Sequence, residues 1–182
     1  RRTEAGMLPG EVAFGFPLPP RPEDGGKLKF GCAVEMSDIG RRTRALPLVG
    51  ALDAVPAQWR EGLEALERQA ADAGVSLSVY GSVALAALTG QYYLTPLSDI
   101  DVLLQPQTRR QLMIGLDLLS WHAGILPLDG EVVFPDGRAV AWKELRAAFA
   151  GAPGTRVLTK GLDRIALVLP EALMATLEEE HG

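Results

Sequence analysis

From Pro56 onward, segments with the apolar spacing of a helix alternate with short apolar segments typical of β-strands. In the first helical segment, Trp59, Leu63 and Leu66 recur at i, i+4 and i+7, which places them on one face of a helix. A chain in which strands and helices alternate packs as a sheet covered by helices. We therefore predict an α/β (α+β) fold in which a mixed sheet is flanked by helices.

The predicted elements follow one another along this part of the chain. Strands are predicted over residues 76–80, 99–105, 125–135, 155–160 and 165–169. Helices are predicted from Pro56 to the Gly74 cap and over residues 83–89, 107–123, 141–150 and 171–180.

Residues 1–50 differ in composition from the rest. Gly and Pro are concentrated there, as in the segment 17–22, and this composition disfavours helices. Two strand-like segments, residues 11–16 and 27–35, lie between the turns. We predict a small β-rich N-terminal lobe over residues 1–50 and a second domain over residues 51–182.

The charge and composition exclude several classes of protein. The net charge of −5 argues against a protein that coats nucleic acid. No apolar run approaches the ~18 residues that span a bilayer. The single cysteine, Cys32, has no internal partner, so we predict a reducing, cytoplasmic location and a buried thiol. The absence of Asn, with 4 Lys against 14 Arg, is typical of a GC-rich, bacterial genome.

A Gly-Ser pair stands between a predicted strand and a predicted helix. Gly81 permits an unusual backbone conformation and close approach of other groups. The N–H groups at the start of the helix attract anions, and the Ser82 hydroxyl can cap the helix or bind a phosphate oxygen. Gly81 and Ser82 are therefore candidate phosphate-binding residues.

Two aspartates begin the next predicted strand. Because side chains alternate across a strand, Asp99 and Asp101 share one face, about 6.6 Å apart along the strand. A divalent cation relieves their repulsion, and Mg²⁺ prefers a few carboxylates together with substrate phosphates. The phosphate cradle and the metal-binding pair together predict phosphoryl or nucleotidyl transfer. Either motif alone would carry little weight.

Further charged residues are candidates for the same site. Glu131 is our choice for a third acid, and Asp129, which has the same strand parity, is its rival. Lys160 ends a predicted strand and is a candidate phosphate ligand. The alternative for the acids is a solvated hairpin, and for Lys160 a surface position.

The Gly-Ser…Asp-x-Asp pattern resembles the DNA-polymerase-β-like nucleotidyltransferase superfamily. The surrounding residues are closer to one family within it. Residues 81–90, 98–103, 134–145 and 157–160 resemble the malonate decarboxylase holo-acyl-carrier-protein synthases, which are phosphoribosyl-dephospho-CoA transferases. The resemblance covers about residues 56–170, and residues 135–142 (PDGRAVAW) narrow it to this family.

The resemblance implies a specific reaction. The donor is 2′-(5″-triphosphoribosyl)-3′-dephospho-CoA, the acceptor is a serine of the acyl-carrier subunit of malonate decarboxylase, and diphosphate leaves. It implies a nucleotidyltransferase-like catalytic domain with Mg²⁺ on Asp99 and Asp101, which are catalytic together with Glu131. The donor phosphates would lie at Gly81, Ser82 and Lys160. Neither nucleic acid nor a membrane is an expected partner.

Three alternatives stay open on the sequence. The first is a nucleotidyltransferase that passes AMP to a small molecule, RNA or protein. The second is a non-catalytic binding module on the same fold, and the third is a sister enzyme that serves another carrier, such as that of citrate lyase. Donor preference and metal affinity distinguish the first two from the favoured reaction.

Three other side chains are interpreted structurally. His122 ends a predicted helix, where a positive charge suits the helix dipole. Trp121 and Trp142 are interpreted as residues of the core or of the interface between lobes. The alternative for either tryptophan is stacking on adenine.

Overall fold

The computed structural model describes residues 10–21, 23, 25–40, 43–161 and 164–179. An antiparallel hairpin of β1 (Glu11–Pro17) and β2 (Lys29–Glu35) forms a separate two-stranded sheet. Seven strands form the main sheet in sequence order: β3 (Leu46–Pro47), β4 (Leu77–Val79), β5 (Ile100–Leu104), β6 (Leu128–Val133), β7 (Ala139–Ala141), β8 (Val157–Lys160) and β9 (Ile165–Val168).

The helices occupy the connections between these strands. They are α1 (Ala57–Asp72), α2 (Gly81–Thr89), α3 (Arg109–His122), α4 (Trp142–Ala150) and α5 (Pro170–Met174), with 3₁₀ turns at Met36–Asp38 and Leu48–Ala54. In the main sheet β5 and β6 are parallel, joined by the crossover helix α3, and the other neighbouring strands are antiparallel. The predicted mixed sheet flanked by helices is confirmed.

The core lies on one face of the main sheet. Ile100, Val102 and Leu104 of β5 are fully buried there, together with the predicted apolar face of α1. On the opposite face of β5, Asp101 is only half-buried, because alternate strand residues project to opposite sides. The polar face of the central strands is therefore available for chemistry.

The short β3 and the 3₁₀ turn after it join the main sheet rather than the hairpin. Leu46 and Pro47 pair with β4, and Leu48 is fully buried in the main core. Residues 1–9 and 180–182 lie outside the described residues. The division into domains at residue 50 stays a prediction.

The last helix is shorter than predicted. The sequence predicts a helix over residues 171–180, whereas α5 ends at Met174. The Glu178 N–H donates to the Gln107 carbonyl at 2.9 Å, and Glu178 forms a parallel bridge with Thr108. The prediction was wrong for residues 175–179, because the chain leaves the helix and hydrogen-bonds to the backbone just before α3.

Several side-chain predictions are corrected. Trp142 is buried as predicted, whereas Trp121 is 75% exposed on the outer side of α3. Cys32 is exposed on β2 instead of buried. His122 is buried, with Nε2 3.1 Å from Gln69 Oε1, and burial lowers its pKa. His122 is therefore neutral at pH 7 and does not act as a cation at the helix end.

Within the described part of the chain, no helix combines the length and the apolar character needed to cross a membrane.

Candidate active site

The chain turns sharply from β4 into α2 at Gly81. Tyr80 is extended, Gly81 adopts a left-handed φ of +62°, and the helix begins at once. The Tyr80 N–H donates to the Asp101 carbonyl at 3.0 Å, which fixes β5 beside this turn. A Cβ built on Gly81 would overlap the Asp101 carboxylate oxygen Oδ2. Glycine is therefore required for both the backbone conformation and the close approach of Asp101.

Three acids share the open face of the central strands. Asp101 is the register partner of Asp129 in the parallel β5–β6 ladder, and Glu131 lies two residues further along β6. Neighbouring strands are about 4.8 Å apart, so Asp101 and Asp129 lie side by side. All three side chains are half-buried, whereas their strand neighbours point into the core. We refer to these three residues as the acid cluster.

Asp99 lies one residue outside the observed strand, and its place on the face of Asp101 stays a prediction. It precedes β5, which begins at Ile100, and its side chain is exposed. Its negative charge nevertheless contributes to the raised pKa of Asp101, so the two carboxylates lie within electrostatic reach of each other. The structure thus brings Asp99 to the border of the acid cluster.

The acid cluster concentrates negative charge at a partly desolvated place. Burial is the largest cause of the raised pKa of Asp101, followed by the charges of Asp129 and Asp99, and Lys27 opposes them. A bound cation would relieve this repulsion, so the donor set fits Mg²⁺. Within the described residues no group of three His, Cys, Asp or Glu side chains is arranged to hold a metal by itself. A Mg²⁺ ion here would need further oxygens from substrate or water.

Tyr80 is a site residue that sequence reasoning missed. Its pKa is raised by burial and then by the charges of Asp101, Glu131 and Asp129, so Tyr80 lies within electrostatic reach of the acid cluster. The phenol is therefore protonated at neutral pH and offers a hydrogen-bond donor. Strand alternation could have indicated it, since Ser78 and Tyr80 share the face opposite the buried Val79.

Three of the four lysines surround these acids. Lys160 Nζ lies 2.7 Å from Glu131 Oε1, and this hydrogen bond is the main cause of the raised pKa of Lys160. Lys143 Nζ lies 3.6 Å from Asp129 Oδ1. Lys27 lies close enough to Asp101 for its positive charge to lower the pKa of that acid. Sequence reasoning found Lys160 and missed Lys143 and Lys27, and the scarcity of lysine was the only signal for them.

Ser82 does not cap α2. Tyr80 occupies the N-cap position, no side chain caps this helix, and Ser82 is the second helical residue. The Ser82 hydroxyl instead accepts a hydrogen bond from Lys27 Nζ at 2.6 Å. Of the two roles predicted for this hydroxyl, helix capping is wrong, and phosphate binding stays a prediction.

A cavity of about 380 Å³ lies toward the other end of α2. Its wall includes Trp59, Tyr92 and Tyr93, together with Ala86 of α2. Ala86 is five residues after Gly81, which corresponds to about 7.5 Å along a helix. The acid cluster and this apolar cavity thus lie near opposite ends of one short helix.

Residues 47–171 match the family described as phosphoribosyl-dephospho-CoA transferase MdcG, C-terminal domain. A protein of Xanthomonas campestris pv. campestris named phosphoribosyl-dephospho-CoA transferase is 37% identical over 174 residues, covering 94% of this chain and 78% of that protein. A protein of the same name from Bradyrhizobium diazoefficiens is 31% identical over 159 residues, covering 86% and 67%. No solved structure matches the chain significantly.

Proposed function

The chain belongs to the phosphoribosyl-dephospho-CoA transferase family and is a transferase, and from this we propose its specific reaction. The donor is 2′-(5″-triphosphoribosyl)-3′-dephospho-CoA, and the acceptor is a serine hydroxyl of the malonate decarboxylase acyl carrier protein. The serine oxygen forms a bond to the α-phosphorus while the bond from that phosphorus to the β-phosphate oxygen breaks. Diphosphate leaves, and the serine proton passes to a carboxylate.

The observation that supports this reaction most strongly is the position of the acid cluster beside the glycine turn. Backbone N–H groups at the start of α2 favour the negative charge of the donor phosphates. The Asp101 carboxylate lies on the adjoining strand β5, within contact distance of Gly81. When bound at Asp99 and Asp101, Mg²⁺ would offset the charge that develops on the phosphates.

The proton of the attacking serine needs an acceptor near the same face. Asp101, Asp129 and Glu131 are the candidates, and Asp129 lies directly beside Asp101 in the ladder. Glu131 is paired with Lys160 at 2.7 Å, and Asp129 with Lys143 at 3.6 Å. With Asp101 assigned to the metal, we favour Asp129 or Glu131 as the proton acceptor. The Tyr80 hydroxyl is a suitable donor to a phosphate oxygen.

The apolar cavity near the other end of α2 suits the remainder of the donor. Aromatic side chains with a few polar groups are typical of sites that bind a flat base or an apolar arm. The wall supplies Trp59, Tyr92 and Tyr93 for stacking and Gln58 and Gln91 for hydrogen bonds. We assign the dephospho-CoA part of the donor to this cavity. We also retain the cytoplasm as the location, because the exposed thiol of Cys32 stays reduced there.

We expect that incubation of the protein with donor, Mg²⁺ and the apo carrier protein attaches one phosphoribosyl-dephospho-CoA group to the carrier serine. Mass spectrometry of the intact carrier measures the added group, and a coupled assay measures one diphosphate released per group. A carrier with Ala in place of the acceptor serine is the control. Attachment of AMP from ATP, with no use of the triphosphoribosyl donor, would contradict the proposal.

We expect Lys160→Met to raise the KM for the donor about 10-fold, because a charged hydrogen bond to phosphate is lost. Steady-state kinetics with varied donor measure this change. Arg146→Met is the matched control, since Arg146 forms a comparable exposed ion pair with Asp117 at 2.6 Å. If both variants have the wild-type KM, Lys160 is only a surface lysine.

A further inference from the structure

We propose that Lys27, which is carried by the N-terminal hairpin, binds the triphosphate of the donor. The hairpin sheet then contributes a substrate-binding residue to a site that otherwise belongs to the main sheet. This inference rests on the proposed function for the identity of the polyphosphate. It goes beyond it by adding a residue from a second sheet.

Lys27 reaches the start of α2 across a large separation in sequence. It lies just before β2, and its Nζ donates to Ser82 Oγ at 2.6 Å, although 55 residues separate the two. A second contact holds the hairpin nearby, because the Tyr93 hydroxyl donates to the Pro17 carbonyl at 3.2 Å. The ammonium group is therefore placed at the helix start by the docked hairpin.

The charges around Lys27 suit a polyphosphate that binds together with Mg²⁺. The positive charge of Lys27 acts to lower the pKa of Asp101, whereas the neighbouring acids raise it. Lys27 therefore lies within electrostatic reach of the acid cluster. Its direct hydrogen-bond partner, however, is a neutral hydroxyl. The half-buried ammonium of Lys27 has three N–H donors, of which Ser82 takes one.

The ammonium group of Lys27 strengthens the attraction of the start of α2 for phosphate. The N–H groups of a helix start favour anions by themselves, but only weakly at an exposed end. Lys27 adds a full positive charge at the second residue of that helix. Lys143 of α4 and Lys160 of β8 lie at the acids of β6, further along the sheet. A triphosphate spanning the acid cluster would thus meet a lysine at either side.

The inference is tested by binding of inorganic tripolyphosphate, which needs neither the carrier protein nor the dephospho-CoA part. Isothermal titration calorimetry of Lys27→Met with Mg²⁺ present should show binding about 10-fold to 100-fold weaker than wild type. Lys27→Arg should recover most of the affinity, because it keeps the charge. The matched control is Lys29→Met, since Lys29 is exposed on the same hairpin and should bind as wild type does.

Ser82→Ala separates phosphate binding from anchoring of the hairpin. If Lys27 only fastens the hairpin through Ser82, Ser82→Ala loses as much tripolyphosphate affinity as Lys27→Met, and the inference is overturned. If Lys27 binds phosphate, Ser82→Ala weakens binding only a few-fold. Wild-type affinity in Lys27→Met also overturns the inference. Lys27-dependent binding without transfer to the carrier supports it and contradicts only the proposed function.

Discussion

Asp101→Asn is expected to lower the transfer rate by about 10²-fold to 10³-fold and at the same time to stabilise the protein. Loss of a carboxylate that would hold the Mg²⁺ offsetting the phosphate charge removes several kcal/mol of transition-state stabilisation. Stability should increase because Asp101 is half-buried beside Asp129 and Asp99, and its negative charge is costly in the folded state. Single-turnover kinetics and urea unfolding at pH 7 measure the two effects.

The stabilisation expected for Asp101→Asn depends on pH. Because the pKa of Asp101 is raised on folding, the folded state holds the proton more tightly than the unfolded state does. The free-energy cost of the ionised Asp101 carboxylate in the folded state therefore begins as pH rises through the unfolded-state pKa, near 4. It reaches its full size above the folded-state pKa. We expect Asp101→Asn to gain unfolding free energy at pH 7 and to lose this advantage as the pH falls toward about 4.

Asp53→Asn is the matched control, because Asp53 is an exposed acid paired with Arg60 at 3.0 Å. It should leave the transfer rate unchanged and change stability little, because solvent screens exposed ion pairs. A transfer rate near wild type in Asp101→Asn would remove Asp101 from the reaction. A lower stability at pH 7 would contradict the account of the crowded acid cluster.

Gly81→Ala is expected to lose both stability and activity. A non-glycine residue in the left-handed conformation costs about 1–3 kcal/mol, and the new Cβ would also displace the Asp101 carboxylate. A displacement of about 1 Å in a catalytic group costs on the order of 10²-fold in rate. Thermal unfolding and the carrier-labelling rate, measured on folded protein, report the two losses.

Gly74→Ala provides the control for backbone strain alone. Gly74 has a φ of +69°, close to that of Gly81, and a Cβ there would meet nothing within 4 Å. It should therefore lose stability through strain and keep its specific activity. Equal loss of activity in the two variants would show that the contact between Gly81 and Asp101 is unimportant for the reaction.

The local parts of the site could be predicted from the sequence, because they depend on short-range periodicity. Alternation along one strand separates Asp101 from Ile100, and a glycine between a strand and a helix indicates a tight turn. The same reasoning gave Asp129 and Glu131 the same face of β6. It could not choose between them, because only the register of β6 against β5 sets Asp129 beside Asp101.

The long-range parts of the site could not be predicted in this way. Lys27 meets Ser82 only because a separate sheet docks near α2. Lys143 reaches Asp129 only because α4 follows β7 directly. Cys32 illustrates the same limit, since an unpaired cysteine is usually buried, whereas the hairpin leaves that thiol exposed. Such contacts depend on how distant segments pack together, which the spacing of residues along one segment does not record.

The charged groups around the acid cluster are drawn from positions between Lys27 and Lys160, in the hairpin loop before β2, on strands of the main sheet and on α4. Such groups are scattered in the unfolded chain, so a polyphosphate that they hold together binds the native state selectively. At a concentration of 100 times its Kd, a ligand of this kind adds about 2.7 kcal/mol to the free energy of unfolding. The supply of donor in the cell would then govern how long each enzyme molecule survives proteolysis, as well as how fast it works.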